Sequence, residues 1–233
     1  MEQQPLDQVL ALAGVLPGER VLDLSSLAGG LALRVATVAS SVEVVQPDED
    51  LAREGRRLAS TLALDNVYFH AGKLQELPFD TGQFSLVMWC RGLSLEPQPL
   101  AVLTEIRRVL SQAGRVVLQE ITAFSSPDLD LRLWELERQR QPRHLVFYTR
   151  DQIGALVALG GLELAQEERC TLTQDFDYWT GGSLLTGPDI AAMKRELFAL
   201  PPTHQDLIDL SFSDSRISFG YPLTTLLLRP KEV

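Results

Sequence analysis

Apolar and amphipathic segments alternate five times within the first 121 residues of the chain. The apolar segments predict strands over residues 20–24, 42–46, 66–70, 84–90 and 115–121. Helical periodicity predicts helices over residues 5–16, 29–40, 48–62 and 97–110. Strands that are apolar on both faces are typical of a parallel sheet covered by helices on each side, and right-handed crossovers wind such a sheet doubly. The sequence therefore predicts an α/β fold.

The second half of the chain has a less regular pattern. It predicts helices over 128–140 and 149–159 and a strand over 162–172. Residues 173–212 contain the aromatic cluster FDYW, glycine turns and helical pieces. The final stretch SRISFGYPLTTLLLRP predicts one long bent strand or a pair of strands.

Composition excludes several classes of protein. The chain has 21 basic and 31 acidic residues and a net charge of −10, which repels the phosphates of nucleic acids. Cys90 and Cys170 are too few for a disulfide framework or a zinc cluster, and we expect no metal. We see neither a signal peptide nor a membrane-spanning apolar run, so we expect a cytoplasmic protein without membrane insertion.

Ligands of open parallel sheets bind beyond the carboxyl ends of the strands. In this chain these ends are residues 23–29, 46, 72–74 and 90–95. The first of them follows an apolar strand and precedes a helix, in the stretch VLDLSSLAGGLALRVA. This outline is typical of a nucleotide-binding turn, although serine and leucine stand where such turns usually have glycine.

Four stretches together resemble one family in order and spacing: GERVLDL…AGGLALRVA, LPFDTGQFSLV, LAVLTEIRRVLSQAGRVVLQE and QPRHLVFYTRDQI. They are similar to class I S-adenosylmethionine-dependent methyltransferases, within the small-molecule group that includes the ubiquinone/menaquinone-biosynthesis type. The resemblance runs from about Pro5 to Pro230. It implies a Rossmann-like, mostly parallel sheet with an antiparallel C-terminal strand, and one domain over 1–233. Its core would span about 17–121, with helical and aromatic lid segments over about 122–148 and 173–212.

The resemblance also implies S-adenosylmethionine as cofactor and places its binding residues. The family loop Asp-x-Gly-x-Gly-x-Gly corresponds to residues 23–29, so Asp23 and Gly29 match while Ser25 and Leu27 replace glycines. Gln46 stands where the family has the acid that binds the ribose hydroxyls. The family's Gly-Asp-Ala after the third strand reads Gly72-Lys73-Leu74, and Cys90 would form a wall of the base pocket. The candidate cofactor residues are therefore Asp23, Ser25, Gly29, Gln46, Lys73, Leu74 and Cys90.

These departures predict weak or absent binding of the methyl donor. Charge-assisted contacts contribute roughly 1.5–3 kcal/mol each, so losing two of them lowers affinity by about 3–6 kcal/mol. Each candidate also has a structural interpretation: Asp23 as a turn and helix cap, Cys90 as a small buried apolar residue, and Gln46 and Lys73 as solvated loop residues.

For the acceptor, the resemblance places His144 and Tyr148 at the cavity. His144 is the candidate general base. Trp134, Tyr178 and Trp179 are expected to cover a small, largely apolar acceptor, whereas Glu135 and Glu137 are expected on a solvated helix face.

Three functions stay open at this point. The first is that of an active methyltransferase. The second is that of a non-catalytic methyltransferase-fold protein that acts as a partner subunit or binding module. The third is that of an enzyme that uses the cavity for another ligand. A homodimer and a complex with an active methyltransferase are both compatible with the sequence.

Overall fold

The computed structural model describes residues 3–25, 30–213 and 216–232, and these residues form an eight-stranded mixed sheet with helices on both faces. The strand order is β3-β2-β1-β4-β5-β8-β6, and β7 pairs with β8. The first five strands are mutually parallel, whereas β8 runs antiparallel to β5, β6 and β7. The predicted α/β doubly wound sheet with an antiparallel C-terminal strand is confirmed.

The strands are β1 Arg20–Asp23, β2 Ser41–Gln46, β3 Val67–Ala71, β4 Phe84–Cys90, β5 Leu110–Ile121, β6 Leu162–Asp175, β7 Ser211–Ser213 and β8 Arg216–Pro230. The helices are α1 Gln3–Ala13, α2 Gly30–Val35, α3 Glu49–Thr61, α4 Pro99–Val109, α5 Pro127–Arg140, α6 Arg150–Leu159, α7 Phe176–Thr180, α8 Gly187–Phe198 and α9 Pro202–Leu207. The fourth strand begins and ends as predicted; several other elements differ by a few residues at their ends.

Local sequence signals account for where two of the helices begin. The Asp48 carboxylate accepts the N–H of Asp50 at 2.8 Å and caps α3. Thr149 caps α6 in a reciprocal arrangement, in which Gln152 N–H donates to the Thr149 hydroxyl and Thr149 N–H donates to the Gln152 side chain.

Alternate residues of the central strands face two separate apolar cores. On β4, Leu86, Met88 and Cys90 pack in one core, while Val87 and Trp89 pack in the other. The first core lies under α1, α2 and α3, and the second lies under α4 and α6. This double burial explains the nearly continuous apolar strands.

Glu105 and Arg108 join two stretches of the family resemblance, LPFDTGQFSLV and TEIRRVL, by hydrogen bonds. Glu105 accepts the N–H of Leu77 at 3.0 Å, and the Arg108 guanidinium donates to the carbonyls of Phe79 and Leu77. Glu105 and Arg108 also pair with each other at 2.7 Å. These bonds fix the connection between β3 and β4 against α4.

The C-terminal half adds a third apolar cluster beyond the end of β5. Leu133 and Leu136 of α5, Trp179 of α7 and Phe219 and Tyr221 of β8 belong to it. The final stretch forms one long strand that pairs with both β5 and β6, which decides between the two predicted arrangements. Through this cluster α5 and α7 pack together with β8.

Candidate active site at the carboxyl ends of the strands

Parallel pairing brings the ends of β1, β2 and β4 to one edge of the sheet. Asp23 pairs in register with Val44 of β2 and Met88 of β4. Residues 23–25, 46 and 90 therefore meet at this edge, as the topology predicts.

Asp23 is a buried carboxylate at the end of β1, with 1% of its surface exposed. Its Oδ1 accepts the N–H of Ser25 at 2.9 Å, whereas its Oδ2 has no hydrogen-bond partner among the described residues. Burial raises the pKa of Asp23 to about 6, against the opposing effect of the Ser25 hydroxyl and the N–H groups of Ser25 and Ala32. Asp23 thus serves as a turn residue and still presents one open carboxylate oxygen.

Ser25 and Gln46 bind each other and the adjoining strand. The Gln46 side-chain amide donates to the carbonyl of Ser25 at 2.8 Å, and the Ser25 hydroxyl accepts the N–H of Cys90 at 3.0 Å. Gln46 is only 3% exposed, so its interpretation as a solvated loop residue is wrong. The polar groups at the ends of β1, β2 and β4 are partly committed to one another.

The remaining predicted cofactor residues differ in their surroundings. Lys73 is exposed, which agrees with its solvated interpretation, and the neighbouring Leu74 is buried. Cys90 is fully buried, and burial together with the nearby Asp23 carboxylate raises the pKa of its thiol to about 12. It is therefore an apolar wall and not a nucleophile. Gly29 and Leu27 lie outside the described residues.

The residues at this edge can hold a methyl donor, but they would form fewer bonds to it than the family's usual residues would. A carboxylate at the position of Gln46 would offer two acceptor oxygens, whereas an amide offers one. The amide N–H groups also have an internal partner in Ser25. The groups that could hold the donor are Asp23, the side-chain oxygen of Gln46, Leu74 and Cys90.

A cavity of about 640 Å³ lies next to this edge, between the ends of β4 and β5 and the covering helices. Arg91, which follows Cys90 directly, and Glu120 near the end of β5 belong to its wall. Arg91 takes a left-handed backbone conformation with φ of 54°, which is uncommon for a residue with a side chain. The full lining is Arg91, Ser94, Leu95, Glu120, Ile121, Glu137, Arg140, Gln141, His144, Gln174, Asp177, Tyr178, Trp179 and Gly181.

His144 lies in this wall, where the resemblance places it. It is 5% exposed, and its Nε2 has no hydrogen-bond partner among the described residues. Burial lowers the pKa of His144, so the neutral imidazole prevails near neutral pH.

Glu137 shares the same wall, and its predicted place on a solvated helix face is wrong. It is 3% exposed, pairs with Arg140 at 2.7 Å and accepts the indole N–H of Trp179 at 3.1 Å. The guanidinium of Arg140 also lies 5.3 Å from the centroid of the Trp179 ring. Glu135, by contrast, is exposed as predicted. Glu137 falls on the α5 face that carries Leu133 and Leu136, and this spacing is the signal that identifies it as buried.

Glu120 is a candidate that sequence reasoning missed. It is 1% exposed and accepts the N–H of Ser94 at 3.1 Å, the Ser94 hydroxyl at 3.2 Å and the N–H of Ile121 at 3.0 Å. Burial raises the pKa of Glu120 to about 7, although these hydrogen bonds favour the ionised form. A carboxyl near the end of an apolar strand is costly to bury, and that position is the signal in the sequence.

The predicted aromatic residues divide between the cavity and its surroundings. Trp179 and Tyr178 line the cavity. Trp134 is absent from the lining and donates its indole N–H to the carbonyl of Leu145 at 2.8 Å. Tyr148 is also absent from the lining and packs against the core beneath α4 and α6. Burial and the nearby Glu120 and Glu96 raise the pKa of Tyr148.

The described residues contain no group of three or more histidine, cysteine, aspartate or glutamate side chains gathered to hold a metal ion. None of their helices has both the length and the apolar character needed to cross a bilayer.

Known proteins resemble this chain in sequence and in fold. The chain is 25% identical to the uncharacterized methyltransferase YcgJ of Bacillus subtilis strain 168 over 179 residues, which cover 76% of this chain and 70% of YcgJ. The crystal structure of YcgJ covers 99% of both chains with a TM-score of 0.89 at 22% identity. A protein of Bacillus halodurans C-125 assigned as a methyltransferase covers 98% of this chain and 100% of its own, with a TM-score of 0.89 at 20% identity. At these identities the structural likeness establishes the fold.

The demethylmenaquinone methyltransferase of Beutenbergia cavernae is 37% identical over 116 residues, which cover 49% of this chain. The match spans only 44% of that enzyme, less than half of its length.

The pattern of one family extends over the parallel strands and the start of the covering helices. The ubiE/COQ5 methyltransferase family matches residues 5–136, which are more than half of the chain and include Asp23, Gln46, Cys90 and Glu120. Together with the sheet order and the structural neighbours, this match shows that the chain belongs to the ubiE/COQ5 family of class I S-adenosylmethionine-dependent methyltransferases.

Proposed function

We propose that the chain transfers a methyl group from S-adenosylmethionine to a small-molecule acceptor and that it binds this donor weakly. The observation that supports transfer is the closeness of the two sites. Cys90 borders the edge where the donor would bind, and Arg91, the next residue, lines the cavity of about 640 Å³. A donor and an acceptor held on the two sides of this dipeptide would be neighbours.

Methyl transfer makes few demands on catalytic side chains. A bound sulfonium donor supplies an activated methyl group, and the protein contributes alignment and exclusion of water. Here α5 and α7 cover the cavity, and the buried Glu120, Glu137 and His144 supply polar contacts for an acceptor. The whole chain over 1–233 would act as one domain, with the segments 122–148 and 173–212 on the acceptor side.

Weak donor binding follows from the residues at the strand ends. The neutral Gln46 amide cannot form the charge-assisted bonds of a carboxylate, which contribute roughly 1.5–3 kcal/mol. That difference corresponds to roughly a tenfold to hundredfold loss of affinity. The amide is also held by the Ser25 carbonyl, so a ribose would compete with an existing bond.

One observation favours a second function, that of a non-catalytic partner subunit or binding module. The bonds from Gln46 to Ser25 and from Cys90 to Ser25 stabilise the strand ends without any ligand. If donor binding were absent, the fold would still be complete, and the polar cavity would serve binding only.

Calorimetric titration with S-adenosylmethionine and S-adenosylhomocysteine distinguishes these functions. We expect measurable binding with a dissociation constant of about 100 μM or weaker. A constant below about 10 μM contradicts the weakened donor site. Absence of heat at millimolar concentrations of both compounds contradicts methyl transfer and leaves the non-catalytic function.

A further inference from the structure

The cavity is unlike a pocket for a largely apolar acceptor. Its wall contains the carboxylates of Glu120, Glu137 and Asp177 and the guanidinium groups of Arg91 and Arg140. Apolar ligands select pockets lined mainly by apolar side chains with a few polar groups. A long apolar chain in this cavity would remove water from the more exposed charged groups, Arg91, Arg140 and Asp177, without replacing its hydrogen bonds, which is costly.

Glu120 is held rigidly in the cavity wall. The Ser94 N–H and hydroxyl and the Ile121 N–H fix the orientation of its carboxylate. Ser94 follows β4, and Ile121 is the last residue of β5, so both partners belong to the sheet edge that also carries Cys90. A preorganised carboxylate in this place is well suited to receive a proton from a reacting group.

His144 provides an independent sign of a polar ligand. Its Nε2 is buried and lacks a partner among the described residues, and an unsatisfied buried polar atom costs about 1–3 kcal/mol. The side chain belongs to the wall of the cavity, so an atom bound there can satisfy it. A neutral imidazole nitrogen can donate or accept, according to its tautomer.

We propose that the acceptor is a small hydrophilic molecule with a proton on its nucleophilic oxygen or nitrogen, that Glu120 takes this proton, and that His144 Nε2 binds a polar group of the same molecule. This inference rests on the proposed function and defines its substrate class. Glu120 replaces His144 as the general base, and His144 becomes a binding residue.

The step is balanced in atoms and charge. The Glu120 carboxylate accepts the O–H or N–H proton of the acceptor, and the freed electron pair forms a bond to the methyl carbon of the sulfonium donor. The carbon–sulfur bond breaks, and its electron pair stays on sulfur as a neutral thioether. Glu120 then releases the proton to water.

Several charged and titratable groups surround Glu120. Cys90 and Arg91 come from the end of β4, and Tyr148 precedes α6. The other elements of the wall contribute Glu137, Arg140, His144 and Asp177. Burial and the hydrogen bonds from Ser94 and Ile121 are the main influences on the pKa of Glu120, so we expect its titration to respond to a further donor that bonds directly to its carboxylate.

The experiment uses the full chain labelled with ¹³C at the glutamate side-chain carboxyls and at histidine Cε1. Spectra of Glu120→Gln and His144→Gln assign the signals of these two residues. Spectra of Glu135→Gln and His70→Gln assign matched control signals from residues that do not line the cavity. The probes are catechol and its blocked analogue 1,2-dimethoxybenzene, and pyrazole and 1-methylpyrazole. A 1,4-naphthoquinol with one prenyl group represents an apolar acceptor.

We expect catechol or pyrazole to move the His144 signal and to lower the titration midpoint of Glu120 by about one pH unit, because a bonded donor favours the carboxylate. The blocked analogues should leave the midpoint unchanged. The proposal is overturned if neither protic probe moves both signals, if the blocked analogue is equally effective, or if only the prenylated probe binds. None of these titrations needs a methyl donor, so a chain that binds catechol but not S-adenosylhomocysteine fails as a methyltransferase while its polar cavity is upheld.

Discussion

Replacing Glu120 by glutamine removes a buried ionisable carboxyl and keeps the shape of the side chain. Burial raises the pKa of Glu120 from 4.5 to about 7. The folded protein therefore retains this proton at pH values where the unfolded chain has lost it, and the free energy of unfolding falls as the pH rises through that window. At about 1.4 kcal/mol for each pH unit, the loss due to Glu120 is about 2–3 kcal/mol between about pH 5 and about pH 8.5.

Glutamine does not titrate, so Glu120→Gln should escape this loss. The introduced amide lies beside the N–H donors of Ser94 and Ile121 and adds a cost, but that cost is the same at both pH values. We expect the difference in unfolding free energy between variant and wild type to change by about 2–3 kcal/mol in favour of the variant from about pH 5 to about pH 8.5.

Urea unfolding followed by tryptophan fluorescence at the two pH values measures this difference. Asp23, whose pKa is raised to about 6, is present in both proteins, so its contribution cancels. The exposed Glu135→Gln variant is the matched control and should show a difference that is independent of pH. A constant difference for Glu120→Gln as well would refute the burial-raised pKa and weaken the case for Glu120 as a base.

Three further predictions concern the site and the core. Ser25→Ala leaves the buried N–H of Cys90 without its acceptor and should lower the unfolding free energy by about 1–3 kcal/mol, and an unchanged melting temperature in scanning calorimetry would contradict that bond. Gly55→Ala places a Cβ 2.1 Å from the Phe69 ring and should destabilise by about 1–3 kcal/mol in urea unfolding, whereas Gly187→Ala, in open space, should have a much smaller effect. The His144 ring protons should titrate in NMR spectra below the ordinary 6.5, because burial lowers its pKa; a midpoint above 6.5 would mean that the ring is solvated or paired with a carboxylate.

Sequence patterns predicted the sheet because its signals are local and repeated. The strand β4 packs Leu86 and Met88 on one face and Val87 and Trp89 on the other, and such a segment is apolar throughout. The caps Asp48 and Thr149 are local signals as well, because each side chain bonds to N–H groups only two or three residues ahead.

The site was less predictable because its bonds join distant residues. The position of Gln46 at the end of β2 follows from the topology, but its bond to Ser25 spans 21 residues and depends on how the loop returns. Glu137 shares the α5 face of Leu133 and Leu136, but the segments that bury this face in the third apolar cluster come from distant parts of the chain. Glu120 was missed because Ser94, which binds its carboxylate, lies 26 residues away and is brought to it only by the fold.

The affinity of Gln46→Glu for S-adenosylhomocysteine, measured by calorimetric titration beside the wild type, tests the weakened donor site most directly. The substitution restores a carboxylate at the end of β2 and removes the N–H groups that now bind the Ser25 carbonyl. Gln166→Glu on the exposed part of β6 makes the same charge change away from the site. We predict that Gln46→Glu binds about tenfold more tightly than the wild type and that Gln166→Glu is unchanged. Equal or weaker binding by Gln46→Glu would contradict the claim that this amide limits donor affinity.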